Sequence, residues 1–583
     1  MSVRIDRWRK VLGTALLTGM VLGSGLGAQP AADEDASRHG IFIETLDVTL
    51  VNVEVVVTEN GRPVTDLTRD DFEVFDDGEP VAITNFHRVE NGRRVAPAGD
   101  GEPAPQPVPL ANEHSAVIVL VDNAFLSPTS RRAVFDALAQ RLDGLIERGA
   151  QVMVASKDQA IKIEQRFTRD RREVDAVLDR LSRRAGSGNL DDSTEGRIVR
   201  EVELGASPGT VGPGGLDLGE ADAVATYSRA QTFAAEIFQK VRRSSVVTRG
   251  FLGSLAGLPG RKVLLYVADR LPLRPGELPL SVWAAKYARA YGDQVGFTTV
   301  QDVIDEFDTS QELLELIADA SASGVVFYPI GNGRNAAMRA ISAANDSAVG
   351  TASFALQNVT QENQGLRFLA RGTGGEAAVD VSSTDWLLDR LESDVSAYYS
   401  LGYPAPHGGD GKTHRIKVRV KRPGVEVRYL ETYRAKTADQ QMSDRTVAAL
   451  FFDAGDNPLD VRLLLGDAER QKDGTYLQPI EIRFPIANLV LLPEADNHSG
   501  NVSIFVVVRD DKGRMSPPTK VPVPVTIPNA NMLAAMSQIA SYRTNLRMRR
   551  GEQSIAVSVR DDLAAKSSTV GTRVRLGKAK GKG

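Results

Sequence analysis

Ala116 to Pro128 reads AVIVLVDNAFLSP. Six apolar residues run without alternation, and an aspartate and an asparagine then precede a segment that turns helical in pattern. An unbroken apolar run of this kind fits a strand covered on both faces, which places Asp122 at the rim of a sheet. Ser127 and Pro128 supply a helix start, a hydroxyl for the N-cap and a ring whose fixed φ suits the first helical position. Further runs without alternation follow in AQVMVAS, KVLLYVA and GVVFYPI, with helical patterns between them. In RRAVFDALAQRLDGLIER, the residues Val134, Leu138, Leu142 and Leu145 form the stripe that packs on a sheet. Strands alternating with helices predict a doubly wound, mainly parallel sheet over 115–395. Within it, 186–220 contains GSGNLDDSTEGR and SPGTVGPGG and reads as a long loop insertion.

The flanking segments alternate instead. In VTLVNVEVVVTENGRPVTDL, Val51, Val53, Val55 and Val57 share one face, and Asn60-Gly61 reverses the chain. FEVFDDGEPVAITNF turns at Asp77-Gly78, and LTRDDF before it offers one helical turn capped by Thr68, with Asp71 three residues on. After TDWLLDRLESDVS, alternation returns in AYYSLGY, THRIKVRVKR and VEVRYLETY. Residues 41–90 are too few to bury a core alone, so 397–434 are expected to complete them into an Ig-like β-sandwich. A Pro/Gly-rich linker covers 91–112. VAALFF, LQPIEIRF, VSIFVVVRDDKG, KVPVPVTI and EQSIAVSVRDD predict a second Ig-like β-sandwich over 446–576, with NMLAAMSQIAS as its helical insert and a basic tail at 577–583.

A chain of 583 residues exceeds what one core supports. With 42% hydrophobic and 25% charged residues, no domain-sized part has to be disordered. The opening MSVRIDRWRK VLGTALLTGMVLGSGLGAQ has the basic start, short apolar stretch and small residues of a Sec-type signal peptide over 1–28. That segment carries four basic residues and Asp6, so its removal takes the net charge from −5 to −8. Such a balance gives no general attraction to nucleic acid. There is no cysteine, which excludes disulfides, thiolate metal sites and a cysteine-linked lipid. No later stretch reaches about 18 apolar residues, so no membrane span is expected after signal cleavage, and the protein is expected to be secreted or periplasmic.

Enzyme motifs are missing. The six histidines, at 39, 87, 114, 407, 414 and 498, include no HExxH. His407 and His414 bound HGGDGKTH, which reads as a solvated hairpin loop. FLGSLAG brings glycines near Ser254 without the G-x-S-x-G elbow. GNGRN at 331–335 lacks the lysine of a phosphate-binding loop, and the acidic turns DAGDNPLD and RDDKG lack calcium-loop spacing. Among Tyr398, Tyr399 and Tyr403, two must face opposite sides of one strand.

Four stretches together resemble the von Willebrand factor A-related, acidobacterial-type family of secreted bacterial proteins. They are VTDLTRDDFEVFDDGEPVAITNF, VIVLVDNAFLSPTSRRAV, PGRKVLLYVADR, and ARGTGG with YYSLGYPAP and THRIKVRVKRPGVEVRY, spanning about Ile41 to Tyr433. The resemblance implies a von Willebrand factor A-like domain whose upper sheet edge holds a metal through an Asp-x-Ser-x-Ser stretch, a threonine and a second aspartate. Here Asp122 matches the first aspartate and Asp269 the second. Ala124 and Leu126 stand at the serine positions and cannot coordinate, and Thr210 lies in a suitable loop. A degenerate site using Asp122, Asp269, Asn123 and Ser127 is therefore implied. It requires no cofactor and binds Mg²⁺ or Mn²⁺ at most weakly. Capping of the following turn by Asp122 and of the helix by Ser127 is the structural alternative. The function expected is non-enzymatic binding of a protein ligand through a rim of Asp122, Asn123, Phe125, Asp269 and Arg270, where loops and helix starts converge. The alternatives are an envelope scaffold binding neighbours through its β-sandwiches and a hydrolase with an unrecognised site.

Overall fold

Ala116–Asp122 is buried along its whole length because it lies at the centre of a five-stranded sheet. The order is Ile161–Thr168, Gln151–Lys157, Ala116–Asp122, Lys262–Val267, Val325–Ile330. The last four strands run parallel, and Ile161–Thr168 is antiparallel to its neighbour. Val117, Val119 and Val121 face a core shared with Leu138 and Leu142 of the helix Pro128–Glu147, Val174 and Leu178 of Arg171–Ser182, and Leu387 and Leu391 of Asp385–Ser396. Ile118 and Leu120 point the other way and are equally buried, so the uniform apolar run reflects cover on both faces.

The computed structural model describes residues 50–91, 93–95, 108–109, 115–184, 189–331, 363–379, 384–452 and 457–577. The expected signal peptide, most of the linker, the part of GNGRN after Gly331, the first part of DAGDNPLD and the tail after Gly577 lie outside them. The described residues form two units, 50–436 and 437–577. No helix among the described residues is long and apolar enough to cross a membrane.

In the first unit, strands from before and after the mixed sheet pair with one another. Leu50–Glu59 lies antiparallel between Ala397–Pro404 and Glu426–Arg428, Asn85–Glu90 also pairs with Ala397–Pro404, and Phe72–Asp76 pairs with Thr413–Val420. Val53, Val55, Phe72, Val74, Tyr399, Leu401, Tyr403, Ile416 and Val418 fill the core between them. The turns are local chemistry. Asn60-Gly61 and Asp77-Gly78 both adopt positive φ, the backbone of two-residue hairpins, and Thr68 N–H donates to Asp71 Oδ2 at 2.7 Å.

The second unit packs two antiparallel sheets. Ile480, Ile482 and Phe484 of Tyr476–Pro485 meet Val502 and Ile504 of Asn497–Asp510 and Val557 and Val559 of Gly551–Asp561. At one edge, Thr519–Pro528 carries Pro522 and Pro524, which remove backbone donors from an edge that would otherwise accept another strand.

The fold class expected from the sequence needs correction. A doubly wound, mainly parallel sheet of von Willebrand factor A type flanked by two Ig-like sandwiches does not describe this chain. Of the five sheets among the described residues, four are antiparallel, and the one with parallel strands is mixed. The class is mixed α/β dominated by antiparallel pairing. A parallel step needs a crossover of about a dozen residues, and only residues 158–160 separate Gln151–Lys157 from Ile161–Thr168. Two local expectations also change. The loop insertion 186–220 contains the helix Asn189–Leu204. VAALFF is not a strand, because the helix Ala438–Ala448 runs into it from a capping box of Thr437 and Gln440.

Candidate functional site

At the rim of the mixed sheet Asp122 stands opposite Lys157 in register. The Lys157 ammonium lies 2.8 Å from Asp122 Oδ2, and both side chains are essentially without solvent exposure. Lys157 Nζ also donates to Ser244 Oγ at 2.6 Å, Thr248 Oγ1 at 2.8 Å and the Tyr266 hydroxyl at 3.1 Å. Asp122 Oδ2 accepts from Tyr266 at 2.5 Å and Ser244 at 3.2 Å, while Oδ1 accepts from Ala124 N–H at 3.1 Å. The result is an oxygen-lined seat for one positive charge, filled by a lysine of the protein itself. Burial holds the Lys157 ammonium below its ordinary pKa even with Asp122 alongside. Burial, and then the Asp122 charge, push the Tyr266 phenol well up.

The other rim residues are engaged as well. Asn123 accepts from Arg131 Nη2 at 2.6 Å and donates to Asp158 at 3.2 Å. Asp269 Oδ2 accepts from Ser127 N–H at 2.8 Å, and Ser127 Oγ caps its helix by accepting from Ser130 N–H. The two carboxylates assigned to a degenerate metal site thus hold different partners. Thr210 is exposed in the stretch before the helix Leu218–Leu255, and the hydroxyls beside Asp122 come from Ser244 and Thr248 on that helix.

Asp122, Asn123, Phe125, Asp269 and Arg270 are all buried, so the expected partner rim does not face solvent. The cause is the 38-residue helix Leu218–Leu255, about 57 Å long at 1.5 Å per residue. Its Ser244 and Thr248 touch the rim pair, and its Lys240 lies 5.0 Å from the Phe125 ring centroid. The residues before Lys240 join Asn189–Leu204 and Glu277–Trp283 in a helical cap. Trp283 anchors it, 4.6 Å from the Tyr227 ring and 5.2 Å from Phe297 between centroids, with its indole N–H donated to Ala223 O at 2.8 Å.

The segment between Leu204 and Leu218 is fastened from below. Lys286 Nζ donates to the carbonyls of Val202, Glu203 and Gly205 at 2.8, 3.0 and 2.6 Å, satisfying a helix C-terminus with a cation. Tyr287 donates to Ala206 O at 3.0 Å. Tyr291 accepts from Gly209 N–H at 2.8 Å and binds Asp217 at 2.9 Å. On this pinned loop Leu204, Val211 and Leu216 are 86%, 66% and 60% exposed.

A second cluster lies at the edge of the first unit's β-sandwich. His407 and His414, read as parts of a solvated loop, stack with ring centroids 3.6 Å apart and planes at 6°, and His414 is buried. Asp76 and Asp77 from the opposite hairpin reach both rings. Burial disfavours the His414 imidazolium, yet hydrogen bonds to Asp77 and Asp410 outweigh it and raise its pKa. The sequence offered one hint of the rim lysine, a charge closing the apolar run QVMVAS next to a strand that ends in aspartate. It placed 397–434 beside 41–90 but offered no hint that His407 and His414 would stack beside Asp76 and Asp77.

No family model matches the chain, and no curated protein matches it. Among solved structures, a β-glucuronidase of Bacteroides uniformis is similar over 31% of this chain and 19% of its own, at 8% identity and a TM-score of 0.14. The chain thus spans about a fifth of that protein's length, and a likeness at this level carries no argument.

Proposed function

We propose that this protein is a non-enzymatic protein-binding module, exported to the periplasm or beyond, that grips its partner through the apex of the helical cap. The observation that carries this reading is the pinned loop with Leu204, Val211 and Leu216 turned to solvent. Exposed apolar side chains on a fixed segment suit an interaction surface, and a loop held in place before binding loses less entropy on association. Residues 201–224 carry five acidic and no basic side chains. The complementary partner is therefore a protein with an apolar contact patch bordered by lysine or arginine. Divalent metal has no part in this contact, because Lys157 supplies the positive charge beside Asp122.

A photo-crosslinking residue placed at 204, 211 or 216 of the full chain tests this in the native envelope fraction. One protein species should be trapped from these positions and not from the exposed Leu314, with or without EDTA. Leu204→Asp with Leu216→Asp should abolish the capture. Equal trapping from Leu314, or capture that survives the double substitution, refutes the assignment.

A further inference from the structure

We propose that Asp76, Asp77, His407 and His414 form a Zn²⁺ site, with Asp76 Oδ1, Asp77 Oδ2, His407 Nε2 and His414 Nδ1 as its donors. The four residues come from the hairpin after Phe72–Asp76, the loop after Ala397–Pro404 and the strand Thr413–Val420. One ligand atom of each lies within 4.8 Å of all the others.

The spacing is that of a coordination shell. Metal–ligand bonds of ~2.0–2.1 Å separate tetrahedral donors by roughly 3.3–3.4 Å. His407 Nε2 stands 3.2 Å from Asp76 Oδ1 and 3.5 Å from Asp77 Oδ2, and His414 Nδ1 stands 2.8 Å from Asp77 Oδ2. Binding one ion through both imidazoles requires the stacked rings, 3.6 Å apart and parallel to within 6°, to rotate out of their stack.

For three of the four residues, the atom that does not face the centre is held from outside. Asp76 Oδ2 accepts from Tyr403 at 3.0 Å and Tyr433 at 2.7 Å. Asp77 Oδ1 accepts from Arg415 N–H at 2.9 Å. His414 Nε2 lies 3.0 Å from Asp410 Oδ1, the carboxylate–histidine pairing that fixes tautomer and ring direction at metal sites. In the metal-free protein an imidazolium at His414 satisfies both Asp77 and Asp410; Zn²⁺ would displace the Nδ1 proton while Nε2 keeps donating to Asp410.

Charge points the same way, since Asp76, Asp77 and Asp410 bring three carboxylates to two imidazoles, and among the described residues the ion pairs of Asp76 and Asp77 are with His407 and His414 alone. Two nitrogens and two oxygens suit Zn²⁺, whereas Mg²⁺ and Ca²⁺ favour all-oxygen shells of higher coordination. Such an ion would tie together residues 331 positions apart.

The test uses the full chain, stripped with EDTA, desalted and titrated calorimetrically with ZnCl₂. One ion per chain should bind, and Co²⁺ in its place should give the visible spectrum of tetrahedral coordination. His407→Gln should weaken Zn²⁺ binding by at least about 100-fold, and Tyr433→Phe, which loosens Asp76, by about 10-fold. His407 is half-buried and Asp77 exposed, so far-UV circular dichroism of His407→Gln and Asp77→Asn should match the parent. Absence of saturable Zn²⁺ binding, or binding that both variants retain unchanged, overturns the site.

Discussion

The rim of the mixed sheet and the edge of the β-sandwich gather similar groups and balance them differently. At the rim, one carboxylate faces one ammonium, and three hydroxyls complete the shell. At the edge, three carboxylates surround two stacked imidazoles. The rim carries a lysine as its counter-charge and is complete when folded, whereas at the edge the counter-charge within the chain is an imidazole, whose protonation its carboxylate partners favour. What an aspartate at a strand end can hold therefore depends on the residue that faces it across the sheet. Lys157 faces Asp122, and two neutralisable rings face Asp76 and Asp77.

The largest effect that separates the two regions is expected from Lys157→Met. Leaving Asp122 buried without its partner should cost about 3–5 kcal/mol, read as a lower urea midpoint for the first unit. Asp122→Leu combined with Lys157→Met should recover most of the loss, because an apolar pair of similar volume replaces a buried ion pair at little cost. A double variant as unstable as the single one would show that the pair is not a closed unit.

Metal addition comes next. Zn²⁺ at about 100 times its dissociation constant should stabilise the first unit by about 2.7 kcal/mol. At ~1 mM, Mg²⁺ or Mn²⁺ should add no more than ~0.4 kcal/mol, the value for a ligand near its dissociation constant. Differential scanning calorimetry measures both, and an Mg²⁺ shift that depends on Asp122 would reverse the contrast.

Tyr433→Phe, in metal-free protein, removes one of two phenol donors to Asp76 and should cost about 1.5 kcal/mol, as for a hydrogen bond to a charged acceptor. Thermal unfolding should register a loss of this size.

The smallest effect belongs to a half-buried arrangement at the surface of the second unit. Arg483, and then Ser541, hold the Glu481 carboxyl down at about 2, through contacts of 2.8 and 2.6 Å. A depressed carboxylate stabilises above its unfolded pKa of 4.5, and this contribution is lost as pH falls from there through about 2. The melting temperatures of the parent and Glu481→Gln should therefore converge over that window. Solvent screening keeps the change slight, and a difference independent of pH would exclude the charge as its source.

Much of the local structure was legible because it depends on near neighbours. AVIVLV and KVLLYV declare strands by uniform apolarity, and Ser127-Pro128 and Thr68 through Asp71 declare their caps. The direction of Ile161–Thr168 was not legible, since strand composition says little about whether a neighbour runs parallel. The helix Asn189–Leu204 was hidden by the glycines around it, although Ile198, Val199 and Val202 repeat at helical spacing and are buried. The capping box at Thr437 and Gln440 was present in the sequence and outweighed by the apolar run after it. At the candidate sites Asp122 and Asp269 stand at strand ends, but Lys157, Ser244, Thr248 and Tyr266 meet Asp122 only through tertiary packing. The stacking of His407 on His414 beside Asp76 likewise depends on a hairpin more than 300 residues away.

Pairing between Val55 and Tyr399 also sets a timetable for biogenesis. At ~5–20 residues per second of synthesis, the strand LVNVEVVVTE waits roughly 20–70 s for its partner to emerge. During that interval its five valines have no native neighbour on that side, and the segment has the β-prone character that seeks strands of other chains. The first strand of the module to be made thus spends longest unpaired, and a cell producing this protein must shield it until the last third of the chain arrives.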